Sequence, residues 1–177
     1  MSRLLIWGAG QHGRVVAELA ELCGHSVAGF VDRTPRDART VGEGEARQAL
    51  AAGKLPFDAE AVAPAIGDNA VRLALLEECT RWIAPALVHP QAWVSPSATL
   101  GDGTVVLPMA AVQTVAKVGR GVIVHGGVIV DHDAVIEDGV YLAPGAVVCG
   151  GGEVGRGALL PAGGVVAKGA TWQGSDR

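Results

Sequence analysis

Aromatic residues are scarce in this chain, at 4% of 177 positions. Its core must therefore be built from Val, Ile, Leu and Ala. Cysteine is scarcer still. Cys23, Cys79 and Cys149 are odd in number, far apart and without a C-x-x-C pair. That excludes a disulfide framework and a zinc site, and the three read as reduced structural thiols of a cytoplasmic protein. Charged residues make up only 18%, and the net charge of −4 is shared equally between the stretches before and after Val88. No basic stripe appears, which argues against nucleic acid as the main partner. No apolar run approaches the roughly 20 residues of a membrane span. The opening "MSRLLIWGAG" is too short and too quickly interrupted for a signal peptide.

What is present is an apolar fraction of 49% and 26 glycines, most of them after position 100. A buried core and many turns are expected, in one large domain or two small ones. Residues 1–87 alternate strand and helix signals. "RLLIW" is a short apolar run ending at Gly8, and "HGRVVAELAELCG" has helical spacing with Val15, Val16, Leu19 and Leu22 on one side. "SVAGFVD" reads as a second strand, "GEARQALAAG" as a short helix and "EAVAPAIG" as a third strand. "DNAVRLALLEECT" then offers an Asp N-cap and apolar Val71, Leu75 and Leu76. This βαβ alternation implies a parallel sheet.

From Val88 the period changes to six. Fourteen consecutive hexads, VHPQAW to VAKGAT, all begin with Val, Leu or Ile, and their fifth residues are Ala, Gly, Thr or Val. A fixed short period means a solenoid, and hexads mean a parallel β-helix, three hexads to a triangular coil. The division expected is 1–87 and 88–177.

"GAGQHG" (Gly8–Gly13) fits G-x-G-x-x-G between a strand and a helix, and Asp32 ends the second strand near the distance of a ribose-binding acid. A dinucleotide usually straddles two such halves, and only one is present. One half suits one nucleotide, such as the uridine diphosphate of an activated sugar. An NAD enzyme and a ligand-free tight turn are the alternatives.

The other unusual stretch is "VIVDHDAVIEDG", where Asp131-His132-Asp133 interrupts an apolar run. His132 is the third residue of its hexad, at a corner, where it can face outward and a flanking carboxylate can reach it. Imidazole suits a base working near pH 7, and a carboxylate on its other nitrogen would fix the tautomer. Gly150 lies one 18-residue coil further on, leaving space beside the imidazole and an unshielded N–H able to stabilise an oxyanion. A solvated corner is the bland reading. A metal held by His125 and His132 lacks a third ligand. Trp82, Trp93 and Trp172 read as caps of core ends or subunit contacts.

Together, "GAGQHGRVVAELA", "GFVD", "IGDNAVR", "GGVIVDHDAVI", "LAPGAVVCGG" and "VGRGALLPAGGVV" resemble the bacterial sugar O/N-acyltransferases, which include sialic-acid O-acetyltransferase and the N-acetyltransferases of UDP-4-amino-sugars and GDP-perosamine. The resemblance covers nearly the whole chain. It implies a Rossmann-like nucleotide-sugar-binding domain followed by a left-handed parallel β-helix, acetyl-CoA as co-substrate, no metal and a homotrimer with its sites between prisms. It makes His132 the general base and Asp133 its orienting acid. It puts Gly150, Tyr141 and Ala162 at the cofactor, and Gly10, Gln11, His12, Asp32, Arg33, Gly67 and His125 at the nucleotide-linked amino sugar. Three departures stand out: Tyr141 replaces a usual histidine, His125 replaces a usual asparagine, and the chain ends six residues after the last hexad, where relatives usually add about another coil. Weak coenzyme A binding is the expectation from these. O-acetylation of a sialic-acid-like sugar and a non-catalytic sugar-nucleotide-binding protein are the rival readings.

Overall fold

The computed structural model describes residues 1–174. Its first part is a parallel sheet of β1 (Arg3–Trp7), β2 (Ser26–Asp32), β3 (Thr40–Gly42) and β4 (Ala61–Pro64), in the order β3-β2-β1-β4. Helices α1 (Gln11–Leu22), α2 (Glu43–Ala51) and α3 (Asn69–Glu78) connect and cover the strands. Leu4 to Trp7 are all buried, as expected of a central strand covered on both faces. The strands and helices read from the sequence are present, with β3 in addition. At three residues β3 is too short to show a period; its pairing with Phe30–Asp32 defines it.

The helix faces differ from the expected ones. In α1 the buried residues are Gly13, Val16, Leu19 and Ala20, while Val15 and Leu22 are exposed. Gly13 sits directly against the Gly8 carbonyl, where no Cβ fits, and that contact sets the rotation of the helix. In α3, Leu75 and Leu76 are buried but Val71 is exposed, and Arg72 takes the inward place instead.

From Leu87 the chain winds into a left-handed parallel β-helix. Two-residue strands stack in three five-stranded sheets, and each strand pairs with the one a coil further on, as Ile123 with Tyr141 and Ile129 with Val147. The first residue of each hexad points inward; Val106, Val112, Val124, Val130, Leu142 and Val148 are wholly buried. The fourth residue turns the corner with positive φ. From Gly103 to Gly169 twelve corners do so, and nine of the twelve are Gly; Met109, Val115 and Asp133 are the exceptions. Glycine alone takes this conformation without steric cost, which accounts for its abundance. The third residue's N–H has no place in the ladder. Pro90, Pro96, Pro108 and Pro144 stand there, having no N–H to lose. Elsewhere a side chain accepts that N–H, as Asp138 Oδ1 does from Arg120 at 2.7 Å.

The three faces of the prism differ in what they show outward. One carries Leu87, Val105, Ile123 and Tyr141, and these pack under α1 residues Val16, Leu19 and Ala20. The second carries Thr99, Lys117, Val135, Glu153 and Thr171. The third carries Trp93, Ala111, Ile129, Val147 and Val165 and is uncovered, with Trp93 53% and Val165 63% exposed. We call these the domain face, the polar face and the bare face.

The first part is clamped to the edge between the polar and domain faces. Leu76 and Leu73 of α3 press on the corner glycines there, so that a Cβ on Gly121 or Gly139 would run into them. The wholly buried Arg72 donates to the carbonyls of Gly121 and Gly139, each at 2.7 Å, and Asn69 Nδ2 donates to that of Gly157 at 2.9 Å. Burial pulls the Arg72 guanidinium down to about 10, so it still carries its charge at neutral pH, satisfied by carbonyl dipoles.

Two corner glycines separate packing from backbone strain. Gly139 (φ 66°) lies against Leu73, whereas Gly145 (φ 70°) has open space where its Cβ would be. Gly145→Ala should cost about 1–2 kcal/mol, the left-handed penalty. Gly139→Ala should cost about 2–5 kcal/mol, because overpacking adds to it. Urea melts of the two variants check the difference.

Candidate active site

Asp131, His132 and Asp133 form a corner on the edge between the bare and polar faces. The His132 N–H donates to Asp131 Oδ1 at 2.7 Å, the same cap that Asp138 gives Arg120. Asp133 adopts the left-handed turn conformation (φ 58°) where most corners use glycine. Its Oδ2 meets His132 Nδ1 at 2.8 Å. An ionised carboxylate only accepts, so Nδ1 carries the proton and Nε2 keeps a free lone pair. One coil further on, the ring lies over Gly150: a Cβ there would come 2.6 Å from Nε2 and 2.7 Å from Cε1. The Gly150 φ is not left-handed, so the backbone does not demand glycine; the imidazole does. The Gly150 N–H has no partner among the described residues, because Cys149 offers no carboxylate cap. The corner is half open, with the His132 side chain 53% exposed.

A second group lies at the C-terminal ends of β1, β2 and β4, where the strand order reverses. Parallel α/β sheets bind ligands in this place. A crevice of about 230 Å³ is lined by Gly8, Asp32, Arg33 and Ile66 among others. The Asp32 carboxylate accepts from the backbone N–H groups of Ala9 and Thr34, each at 3.1 Å, and these bonds hold its pKa below the usual carboxylate range. It therefore pins the glycine-rich loop, with lone pairs to spare. Gly10 N-caps α1 with open space around it, and Gln11 beside it is exposed.

A third group lies at the seam where α1 starts and the domain face ends. His12 Nε2 is buried without a partner among the described residues. Burial, with help from Arg72 and His125, depresses the His12 imidazole to about 4. His125 Nδ1 accepts the Gly126 N–H at 2.8 Å, which leaves the proton of a neutral ring on Nε2. The ring stands edge-on to Tyr141, centroids 6.3 Å apart.

Comparison with known proteins places this geometry. Residues 3–79 match the family model of the PglD N-terminal domain. A histidine-to-asparagine mutant of perosamine N-acetyltransferase from Caulobacter crescentus, solved with CoA and GDP-perosamine, is 30% identical with a TM-score of 0.85, over 97% of this chain and 91% of that one. The chain belongs to the bacterial hexapeptide-repeat sugar acetyltransferases. The acetyltransferase domain of PglB from Neisseria gonorrhoeae, solved with acetyl coenzyme A, is also 30% identical, with a TM-score of 0.77 over 96% and 95% of the two chains. WeeI from Acinetobacter baumannii shares the fold at 22% identity, with a TM-score of 0.70 over 97% and 94%. No curated protein sequence matches the chain.

Within one chain the three groups do not all meet. The first part covers the domain face, and His132 lies on the edge opposite that face. His125 and His132 occupy different edges, so one chain cannot bring both to one metal ion. Gly67 follows Ile66 of the Asp32 crevice and itself lines a neighbouring pocket of about 590 Å³ at the start of α3, with Asn69 and Gly157. Ala162 is exposed on the corner between the domain and bare faces. In "IGDNAVR" Arg72 and Asn69 pass for ordinary helix residues, whereas the structure places them in the seam between the two folds. An arginine on the inward face of a short amphipathic helix was the available signal.

The buried His12 makes the protein acid-sensitive. Its folded pKa lies below the unfolded 6.5, so the unfolded chain takes the proton first as pH falls. Its contribution is full above about pH 6.5 and is lost toward pH 4, up to about 3 kcal/mol. His12→Gln should flatten the fall in melting temperature across that window, as thermal melts from pH 7.5 to 4 will show.

Proposed function

We propose that this acetyltransferase moves the acetyl group of acetyl-CoA to the amino group of a nucleotide-linked amino sugar, in glycan or surface-polysaccharide synthesis. The observation that carries this is the Asp133–His132 pair held over a bare Gly150. His132 Nε2 takes a proton from the acceptor nitrogen as its lone pair attacks the thioester carbonyl. Asp133 holds the tautomer and steadies the imidazolium. The Gly150 N–H, unpartnered among the described residues, faces the developing oxyanion. As the C–S bond breaks, the imidazolium returns the proton to the departing thiolate. The family's solved members support the co-substrates: one is described with CoA and GDP-perosamine, another with acetyl coenzyme A.

In this reading the acceptor's nucleotide lies along Gly10, Gln11 and the Asp32–Arg33 turn. The acetyl-bearing arm passes Tyr141 and Ala162, and His125, edge-on to Tyr141, lies toward the sugar. Because His132 stands on the edge away from its own nucleotide crevice, the sugar reaches it from a second copy. The bare face supplies the contact. Trp93, Ala111, Ile129, Val147 and Val165 form one apolar stripe along the prism axis, the kind of surface that marks an interface. Three prisms closing around these stripes make the trimer that the family resemblance implies. No helix among the described residues is long and apolar enough to cross a membrane.

His132→Ala should lower the acetylation rate by about 10²–10⁴-fold, the usual worth of a positioned base. Gly150→Ala should lower it too, since the new Cβ displaces the ring. Neither should shift the melting temperature appreciably, because the ring is outside the core and Gly150 has no left-handed φ. Steady-state thiol release alongside thermal melts checks both. Near-wild-type turnover in either variant would remove the corner from the mechanism.

A further inference from the structure

The crevice at the reversal of strand order has a chemistry that selects one base. Val31, Ala65, Ile66 and Val71 give it apolar walls, and Arg33 and Glu43 stand side by side as its charged lining beyond Asp32. Glu43 opens α2. Its Oε2 is held by Arg47 Nη1 at 2.8 Å, and Arg47 is in turn anchored by Glu78 at 2.9 Å. Among the described residues its Oε1 has only Arg33 Nε at 3.6 Å, beyond hydrogen-bond reach. The crevice thus offers a fixed carboxylate with an open acceptor beside a guanidinium with open donors. Arg33 is otherwise exposed, and no catalytic step uses either residue.

We infer that Arg33 and Glu43 read the base of the acceptor nucleotide and that the base is guanine. This rests on the acetyltransferase reading and extends it to the substrate class. Guanine presents a carbonyl O6 next to two donors, N1–H and the N2 amino group. Arg33 donates to the first, and the Glu43 carboxylate accepts from the other two. Uracil presents O4, N3–H and O2, which sets one carbonyl against the Glu43 carboxylate. Adenine offers a single amino donor and leaves one carboxylate oxygen unmatched. The uridine diphosphate suggested by the loop sequence alone therefore gives way to a guanosine diphosphate, because the loop recognises phosphates and the pair recognises the base.

Calorimetric titration of the whole protein with GDP, IDP, UDP and ADP tests this without requiring turnover. GDP should bind about 10–100-fold tighter than UDP or ADP. IDP, which lacks the N2 amino group, should bind about 10-fold more weakly than GDP. Glu43→Gln should erase most of the GDP preference, weakening GDP and strengthening UDP, whose carbonyl then meets an amide donor in place of a carboxylate; a thermal melt like that of the wild type reports that the variant is folded. UDP or ADP binding as tightly as GDP, or IDP matching GDP, would overturn the assignment, as would failure of all four to bind. Acetylation of a UDP-linked amino sugar in preference to a GDP-linked one would overturn it too, while leaving the acetyltransferase reading intact.

Discussion

From Gly103 to Gly169 every sixth residue turns a corner through the left-handed region, and the rest of the molecule follows from that constraint. It makes the coil triangular and stacks like positions at intervals of 18 residues. It fills nine of twelve positive-φ corners from Gly103 to Gly169 with glycine. It also leaves the third residue's N–H out of the ladder, which proline tolerates and which an acidic neighbour can cap. Non-glycine residues at such corners carry a conformational cost, and strained positions gather at functional sites. Asp133 is one of three that carry it, and the one whose side chain meets an imidazole, at 2.8 Å.

The same glycines build the seam. Because the corners between the polar and domain faces are bare, Leu73 and Leu76 of α3 can lie against backbone, and Arg72 can reach the Gly121 and Gly139 carbonyls. A guanidinium satisfied by carbonyls in a buried seam locks two folds in one orientation. Loss of either partner would leave buried polar groups unpaired. That orientation decides the site. It covers the domain face with the parallel sheet and α1 and leaves His132 on the edge that faces away from them.

Much of this was legible in the sequence, for identifiable reasons. A period of six repeated fourteen times is a global signal, so the β-helix was plain from its aliphatic first positions. "GAGQHG" was plain because tight approach demands glycine at fixed spacing, and Gly13 against the Gly8 carbonyl is that approach. The corner stack of His132 and Gly150 followed from the coil length. Features set by long-range partners were not legible. Val15, Leu22 and Val71 fit an apolar helical face by spacing, yet they are exposed, because the rotation of α1 depends on Gly13 and that of α3 on Arg72. Asp32 had the position of a ribose ligand, but its bonds to the Ala9 and Thr34 N–H groups appear only once the loop is folded. The bare face was hidden for another reason. Outside the polar face the sixth-position residues are apolar whether their face is covered by the same chain, as at Ile123, or left open, as at Ile129.

In the proposed mechanism the base and the nucleotide crevice serving it belong to different copies of the chain. The most direct measurement is acetylation by co-expressed His132→Ala and Asp32→Ala chains, set against each variant alone. A shared site predicts recovery of activity in the mixture, because some interfaces then join an intact base to an intact crevice. A mixture no more active than its separate components, with mixed assemblies confirmed by differential tagging, would contradict it.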